Sequence, residues 1–185
     1  MRIGLLSDTH LPASGPDLPS EVYAALRGCD AILHGGDITI SSVLDHLEEI
    51  APVYAAMGNH DEHLAADPRV KALHWLTFEG HEVALLHRFE PLDWSMDRLL
   101  DRFFDGRRPA VVVFGDSHFE LVEERDGVLL FNVGSATLPR NLSPRLGHVG
   151  FLTLEAGRRP VAKLVDLSGG ANDGFMRTGA EQRGK

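Results

Sequence analysis

Four times along this chain a short apolar run leads directly into a cluster of Gly, Asp, Asn and His. Arg2–Ser7 runs into Asp8 and His10, and Ala31-Ile32-Leu33-His34 into Gly35-Gly36-Asp37. Pro52–Met57 runs into Gly58-Asn59-His60-Asp61, and Ala110–Phe114 into Gly115-Asp116-Ser117-His118. Runs this short, bounded by turn residues, read as strands. Between the first three lie segments with helical spacing. One spans about Pro19 to Arg27, with Val22, Ala25 and Leu26 on one face. The other opens at Ser41 or Ser42, either of which can cap it, and carries Val43, Leu47 and Ile50 at i, i+4 and i+7. Strands alternating with helices are the signature of an α/β chain. Open α/β sheets bind ligands at the carboxyl ends of their strands, where these polar clusters fall.

The second half is patterned differently. Leu73–Phe78 and Glu82–His87 flank Glu79-Gly80, a hairpin turn. Leu92–Phe104 reads as an amphipathic helix carrying Trp94, Leu99, Leu100, Phe103 and Phe104. Ala110–Phe114 is continuously apolar, as a strand buried on both faces should be. Two further hairpins turn at Asp126-Gly127 and near Ala156-Gly157. Parallel-type units followed by hairpins predict two packed sheets with helices outside. Residues 1–167 form one domain on this reading. From Ser168 to Lys185 the chain is Gly-rich and polar without periodicity, which predicts a loose tail.

Composition narrows the function classes. A net charge of −9 disfavours a protein that coats nucleic acid through phosphate contacts. No apolar run approaches the roughly 18 residues of a membrane span. The short apolar start, Ile3–Leu6, meets Asp8 and His10 too soon for a signal peptide. The single Cys29 excludes an internal disulfide and a thiolate cage, and fits a cytoplasmic location. Neither a Gly-rich phosphate loop nor a nucleophile elbow is present. His81-Glu82 begins like a zinc-protease helix, but the fifth position is Leu85.

The strand-end residues with chemistry are Asp8, His10, Asp37, Asn59, His60, His87, Asp116 and His118. In extended backbone, residues two apart share a face, so Asp8/His10 and Asp116/His118 are each expected to converge. Oxygen donors mixed with imidazoles, without sulfur, suit Mn²⁺, Fe, Zn²⁺ or Mg²⁺. The set exceeds what one ion needs and favours two, about 3.5–4 Å apart, able to clamp a phosphate and activate water between them. One carboxylate must then bridge, and Asp37 is the natural candidate. Asp8-x-His10 alone is more often a capped turn, and the ordered set reverses that preference. His34 is expected to stabilise the loop around Asp37, and His46, His63, His74 and His148 to be surface or core residues.

Asp8-Thr9-His10, Gly36-Asp37, Gly58-Asn59-His60-Asp61, a lone His87 after an apolar strand, and Gly115-Asp116-Ser117-His118 stand in the order found in the calcineurin-like metallophosphoesterases. The chain resembles that family over roughly residues 1–167, and its shortness is similar to the small uncapped bacterial and archaeal phosphodiesterases. Asn132-Val133-Gly134-Ser135, followed by Pro139-Arg140, is similar to an Asn-Pro-Gly-Ser element of that subgroup. The resemblance implies a four-layer αββα sandwich, two mixed β-sheets flanked by helices. It implies one metal on Asp8, His10, Asp37 and His118, and a second on Asp37, Asn59, His87 and Asp116. Mn²⁺ is the first expectation, with Fe, Zn²⁺, Ni²⁺, Co²⁺ or Mg²⁺ as alternatives. His60 would then be a catalytic acid or charge stabiliser beside the phosphate, and not a ligand.

Three positions depart from the family pattern. Asp116 stands where an imidazole is usual, and its charge would weaken the Lewis acidity of the second ion and favour Mn²⁺ or Mg²⁺. Arg88 replaces a Gly after the lone ligand His, where its fork could reach a substrate phosphate or crowd the mouth. Ile40 occupies the position at which some relatives place an Asp partner for the catalytic His. The expected activity is phosphodiester hydrolysis of a small phosphorylated substrate by a metal-activated hydroxide, with Asn59, His60 and Arg88 on the phosphoryl oxygens. A phosphomonoesterase or nucleotide phosphatase would use the same site. The rival from another class is a scaffold of the retromer-subunit type, which lacks the catalytic His that this chain keeps as His60. A homo-oligomer is compatible with all of these.

Overall fold

A computed structural model describes residues 1–142 and 144–169. Among these residues eleven strands form two sheets. The first sheet has the order β11-β10-β1-β2-β3-β4, from Val161–Asp166, His148–Thr153, Arg2–Leu6, Ala31–His34, Val53–Ala56 and Val70–Lys71. Its β1, β2, β3 and β4 run parallel, while β10 lies antiparallel to both β1 and β11. The second has the order β5-β6-β7-β9-β8, from Leu73–Phe78, His81–Leu86, Val111–Phe114, Val128–Val133 and Glu120–Arg125. There β6, β7 and β9 run parallel and the edge strands antiparallel.

Side-chain alternation along each strand divides the apolar residues among three clusters. Ile3, Leu5 and Leu33 of the first sheet meet Val83, Leu85, Val111, Val113 and Phe131 of the second in an inter-sheet core. Leu6, Ile32, Val53 and Ala55 face the other way, against Val22 and Leu26 of α1 (Ser20–Leu26) and Val43, Leu44 and Leu47 of α2 (Ser42–Glu48). On the far side, Ala84, Val112 and Leu130 pack against Leu99, Leu100 and Phe104 of α3 (Met96–Phe104). The result is the expected αββα sandwich of two mixed sheets. The sheets approach closely around Gly150, where a Cβ would lie 2.6 Å from Val133 Cγ1 and 2.7 Å from the Phe131 ring.

Several local expectations need correction. The helix expected over Leu92–Phe104 begins only at Met96, because Ser95 takes the N-cap and its Oγ accepts from Arg98 N–H. Trp94 therefore lies outside the helix, under the Arg98 guanidinium at 3.4 Å from the ring centre. Neither serine caps α2 through its side chain; the first turn closes on the Ser41 carbonyl instead. The two-residue β4 has no sequence signal of its own. The expected tail, 168–185, lies outside the described residues from position 170 on. Among the described residues no helix is long and apolar enough to cross a membrane.

Candidate metal centre

The parallel strands of both sheets point their carboxyl ends to one edge, and six loops meet there. Asp8 and His10 follow β1, Asp37 follows β2, Asn59 and His60 follow β3, His87 and Arg88 follow β6, and Asp116 and His118 follow β7. The Asn132–Ser135 stretch at the end of β9 closes the ring.

The way the side chains converge differs from expectation. Asp8 and His10 have φ of 52° and 47°, and Asp116 and His118 have φ of 70° and 59°. These loops are not extended, so the two-residue alternation of a strand cannot apply. Successive left-handed turns aim the side chains instead. Asp37 shares the feature at φ 55°. Such conformations are uncommon for residues other than Gly and persist where surrounding contacts over-determine them.

Those contacts are specific. Asp61 is fully buried; its Oδ1 accepts from Ile38 N–H at 2.9 Å and Thr39 N–H at 2.8 Å, and its Oδ2 from Gly58 N–H at 2.9 Å. It ties the β3 loop to the Asp37 loop. Gly58 is needed at this junction, since a Cβ there would stand 2.1 Å from Asp37 Oδ1. His34, also buried, bridges the first two loops: Gly36 N–H donates to its Nδ1 at 3.1 Å, and its Nε2 lies 3.1 Å from Thr9 Oγ1. Burial lowers the His34 pKa to about 4, which matches a neutral ring accepting at Nδ1. From β9, Asn132 Nδ2 donates to the Gly115 carbonyl at 2.8 Å, while Ser135 Oγ donates to the Asp8 carbonyl at 2.6 Å and Thr137 Oγ1 to the Thr9 carbonyl at 2.7 Å. Sequence reasoning missed the Ser135 and Thr137 clamps, because their partners lie more than a hundred residues away.

Donor atoms gather on both sides of Asp37, and Asp8 lies within reach of either side. His118 Nε2 lies 3.1 Å from His10 Nε2 and 3.6 Å from Asp8 Oδ1. His87 Nε2 lies 3.2 Å from Asn59 Oδ1 and 3.5 Å from Asp116 Oδ1. Asp37 Oδ2 faces both sides, 3.5 Å from His10 Nε2 and 3.6 Å from His87 Nε2. Ligands sharing one ion at bonds of about 2.0–2.2 Å stand about 3–3.5 Å apart, so the spacing fits divalent metal. The imidazoles fit as well. His87 Nδ1–H donates to the Gly35 carbonyl at 2.7 Å and His118 Nδ1–H to the Leu138 carbonyl at 2.8 Å, which leaves each Nε2 lone pair facing inward. Asp8, His10 and His118, and likewise Asp8, Asp37 and His87, place all their donors within 4.8 Å of one another.

Burial pushes the Asp8 carboxyl well above the usual carboxylate range, against the hydrogen bond from Ser7, and Asp37 and Asp116 add to the rise. Burial likewise lowers the His10 pKa, against the attraction of Asp37. Packing carboxylates this densely away from water is costly unless a cation joins them.

The remaining expected residues stand at the rim. His60, 56% exposed at its side chain, brings Nε2 to 4.0 Å from Asp37 Oδ2. Its ring meets that of His10 edge-on at 5.3 Å. Ile40 packs against the first apolar cluster, as an apolar residue should. Arg88 lies across Asp116, with Nε 3.0 Å from Oδ2 and Nη2 2.8 Å from Oδ1. Among the described residues Asp116 joins none of the three-residue groups of close donors. A groove of about 550 Å³ beside Tyr23 and His46 lies against α1 and α2, and none of these ligand candidates lines it.

The model of the calcineurin-like phosphoesterase superfamily domain matches residues 1–157. A probable metallophosphoesterase of Methanothermobacter thermautotrophicus is 33% identical over 147 residues, covering 78% of this chain and 82% of that one. Vacuolar protein sorting 29 from Cryptosporidium parvum superposes with a TM-score of 0.72 at 23% identity, over 89% of this chain and 90% of that one. A protein described as a novel archaeal phosphodiesterase gives 0.64 at 21% identity, over 89% of this chain and all of that one. The chain belongs to the calcineurin-like phosphoesterase superfamily.

Proposed function

We propose that this chain is a phosphodiesterase that holds two divalent ions at the junction of its sheets. The supporting observation is Asp37 Oδ2, which lies 3.5 Å from His10 Nε2 and 3.6 Å from His87 Nε2, between imidazoles at metal-ligand spacing on either side. Asp8, His10, Asp37 and His118 would hold one ion, and Asp37, Asn59, His87 and Asp116 the other, with Mn²⁺ the best match to a carboxylate-rich set. When bound, the pair supplies Lewis acidity to a phosphoryl oxygen and a water acidified enough to attack phosphorus.

The chain's own groups complete the reaction. His60 is exposed at the rim, where an imidazolium can give its proton to a departing alkoxide. Its backbone N–H donates to Asp37 Oδ1 at 3.1 Å, which fixes the residue beside the bridge. Asn59 keeps an amide N–H₂ for a phosphoryl oxygen while its Oδ1 faces the ion position. Arg88 stands at the same mouth, and its fork can meet phosphoryl oxygens. Burial of Asp8, Asp37 and His118 keeps bulk water from the floor of the site.

Purified protein should hydrolyse an activated aryl phosphodiester with Mn²⁺, faster than the matching monoester. Absence of turnover with each of Mn²⁺, Ni²⁺, Co²⁺ and Zn²⁺ would rule the proposal out. Preference for the monoester would retain the site and replace the substrate class. One observation favours a second reading, a protein-binding scaffold. Asp116, at the centre's rim, is engaged by Arg88 on both oxygens. That reading expects no turnover with any ion.

A further inference from the structure

The two ion positions differ in what already holds their carboxylates. At the first, Asp8 is fully buried; its Oδ2 accepts from Ser7 Oγ at 2.5 Å and its Oδ1 from the Asp116 N–H at 3.2 Å, both neutral donors. At the second, Asp116 meets a full positive charge. The Arg88 guanidinium contacts both of its oxygens at 2.8 and 3.0 Å, in a two-point geometry well matched to a carboxylate. No other ligand candidate is gripped by an arginine among the described residues.

We propose that Arg88 is a resident cation that competes for Asp116, making the second ion position the weaker of the two and dependent on exchange of Asp116 between guanidinium and metal. This rests on the two-ion phosphodiesterase reading above. An incoming ion beside His87 finds Asn59 Oδ1 and Asp37 Oδ2 within 3.2 and 3.6 Å of the His87 nitrogen, and neither of these is held by a cation. Asp116 Oδ1, at 3.5 Å from the same nitrogen, is near enough to ligate but shares its charge with Arg88. A divalent ion there also faces the guanidinium at short range, and like charges so close repel. Displaced from Asp116, Arg88 turns its fork toward phosphoryl oxygens, so filling the second position and engaging substrate become linked. The Arg88 side chain is 63% exposed, so water screens the pair and its hold on Asp116 is modest.

Mn²⁺ titrated into the metal-free full chain, with heat measured and bound ions counted by elemental analysis, tests this independently of turnover. Two binding steps are expected, and Arg88→Gln should tighten the weaker one about fivefold while leaving the stronger unchanged. Asp116→Asn should weaken the second step, and Arg88→Gln added to it should lose most of its effect, as a shared interaction requires. If Arg88→Gln leaves the second step unchanged, or weakens it, Arg88 is a bystander or a support for Asp116 and the inference fails. That failure would leave the hydrolase reading intact wherever two ions bind and diesters turn over. A chain that binds no ion would overturn both.

Discussion

Asp37 holds His60 by its backbone while facing it with its side chain: His60 N–H donates to Asp37 Oδ1 at 3.1 Å, and His60 Nε2 stands 4.0 Å from Asp37 Oδ2. A residue fixed by its main chain to the bridging candidate, with its ring exposed, is built to act on something that arrives from solvent. His60→Ala should therefore lower kcat on a phosphodiester by about 10²- to 10⁴-fold, the usual span for loss of a general acid. A diester with a good aryl leaving group should lose less than one with an alkyl leaving group, since the former needs little protonation. Steady-state kinetics on the pair check this. Equal losses on both would point to charge stabilisation instead.

Asp61 carries the junction beneath His60. Its carboxylate takes three backbone N–H groups, and Asp61→Ala leaves the buried Gly58 and Ile38 N–H groups and the half-buried Thr39 N–H without partners. The expected cost is about 3 kcal/mol or more, given about 1–3 kcal/mol for each buried donor left unsatisfied and partial relief by water. Urea unfolding of the variant measures it. Weaker Mn²⁺ binding should accompany the loss, because the same bonds position Asp37.

His34 makes stability depend on pH. Its folded pKa, lowered by burial to about 4, lies below the unfolded value of about 6.5. Between these values the unfolded chain binds the extra proton, so stability is complete above about pH 6.5 and declines as pH falls toward about 4. The full span corresponds to about 3 kcal/mol. Denaturation midpoints of the metal-free protein from pH 7 to 4 should show the decline, and His34→Gln should flatten part of it.

Asp8 is expected to couple metal binding to proton release. Burial raises its pKa despite the Ser7 hydrogen bond, and Asp37 and Asp116 add to the effect. A metal must displace any proton held there, so apparent affinity should weaken as pH falls. Calorimetric titrations in buffers of different ionisation enthalpy should show protons released at the first binding step. An identical heat in every buffer would contradict this.

Much of this arrangement was legible in the sequence because the loops after β1, β2, β3 and β7 carry their chemistry beside their strands. Asp8, Asp37, Asn59 and His118 could each be placed just past the carboxyl end of a strand from the local sequence alone. The turns at Glu79-Gly80 and Asp126-Gly127 were legible for the same local reason, and both pairs show positive φ. What pairs across long distances was not legible. Asp61 reads as loop support until its partners at Ile38 and Thr39 are seen, and Ser135 is only a motif residue until it reaches the Asp8 carbonyl. The left-handed turns at Asp8, His10, Asp116 and His118 are not legible, since Asp and His, unlike Gly, do not themselves mark a positive φ. The Arg88–Asp116 pair joins two departures from the family pattern that the sequence shows 28 residues apart.

The most direct measurement is diester turnover by the metal-free protein titrated with Mn²⁺, with bound ions counted in the same samples. Activity is expected to rise as occupancy passes one ion per chain and to level near two, with Asp37→Asn inactive throughout. Full activity at one ion, or none at two, would contradict a reaction carried by a pair of ions bridged through Asp37.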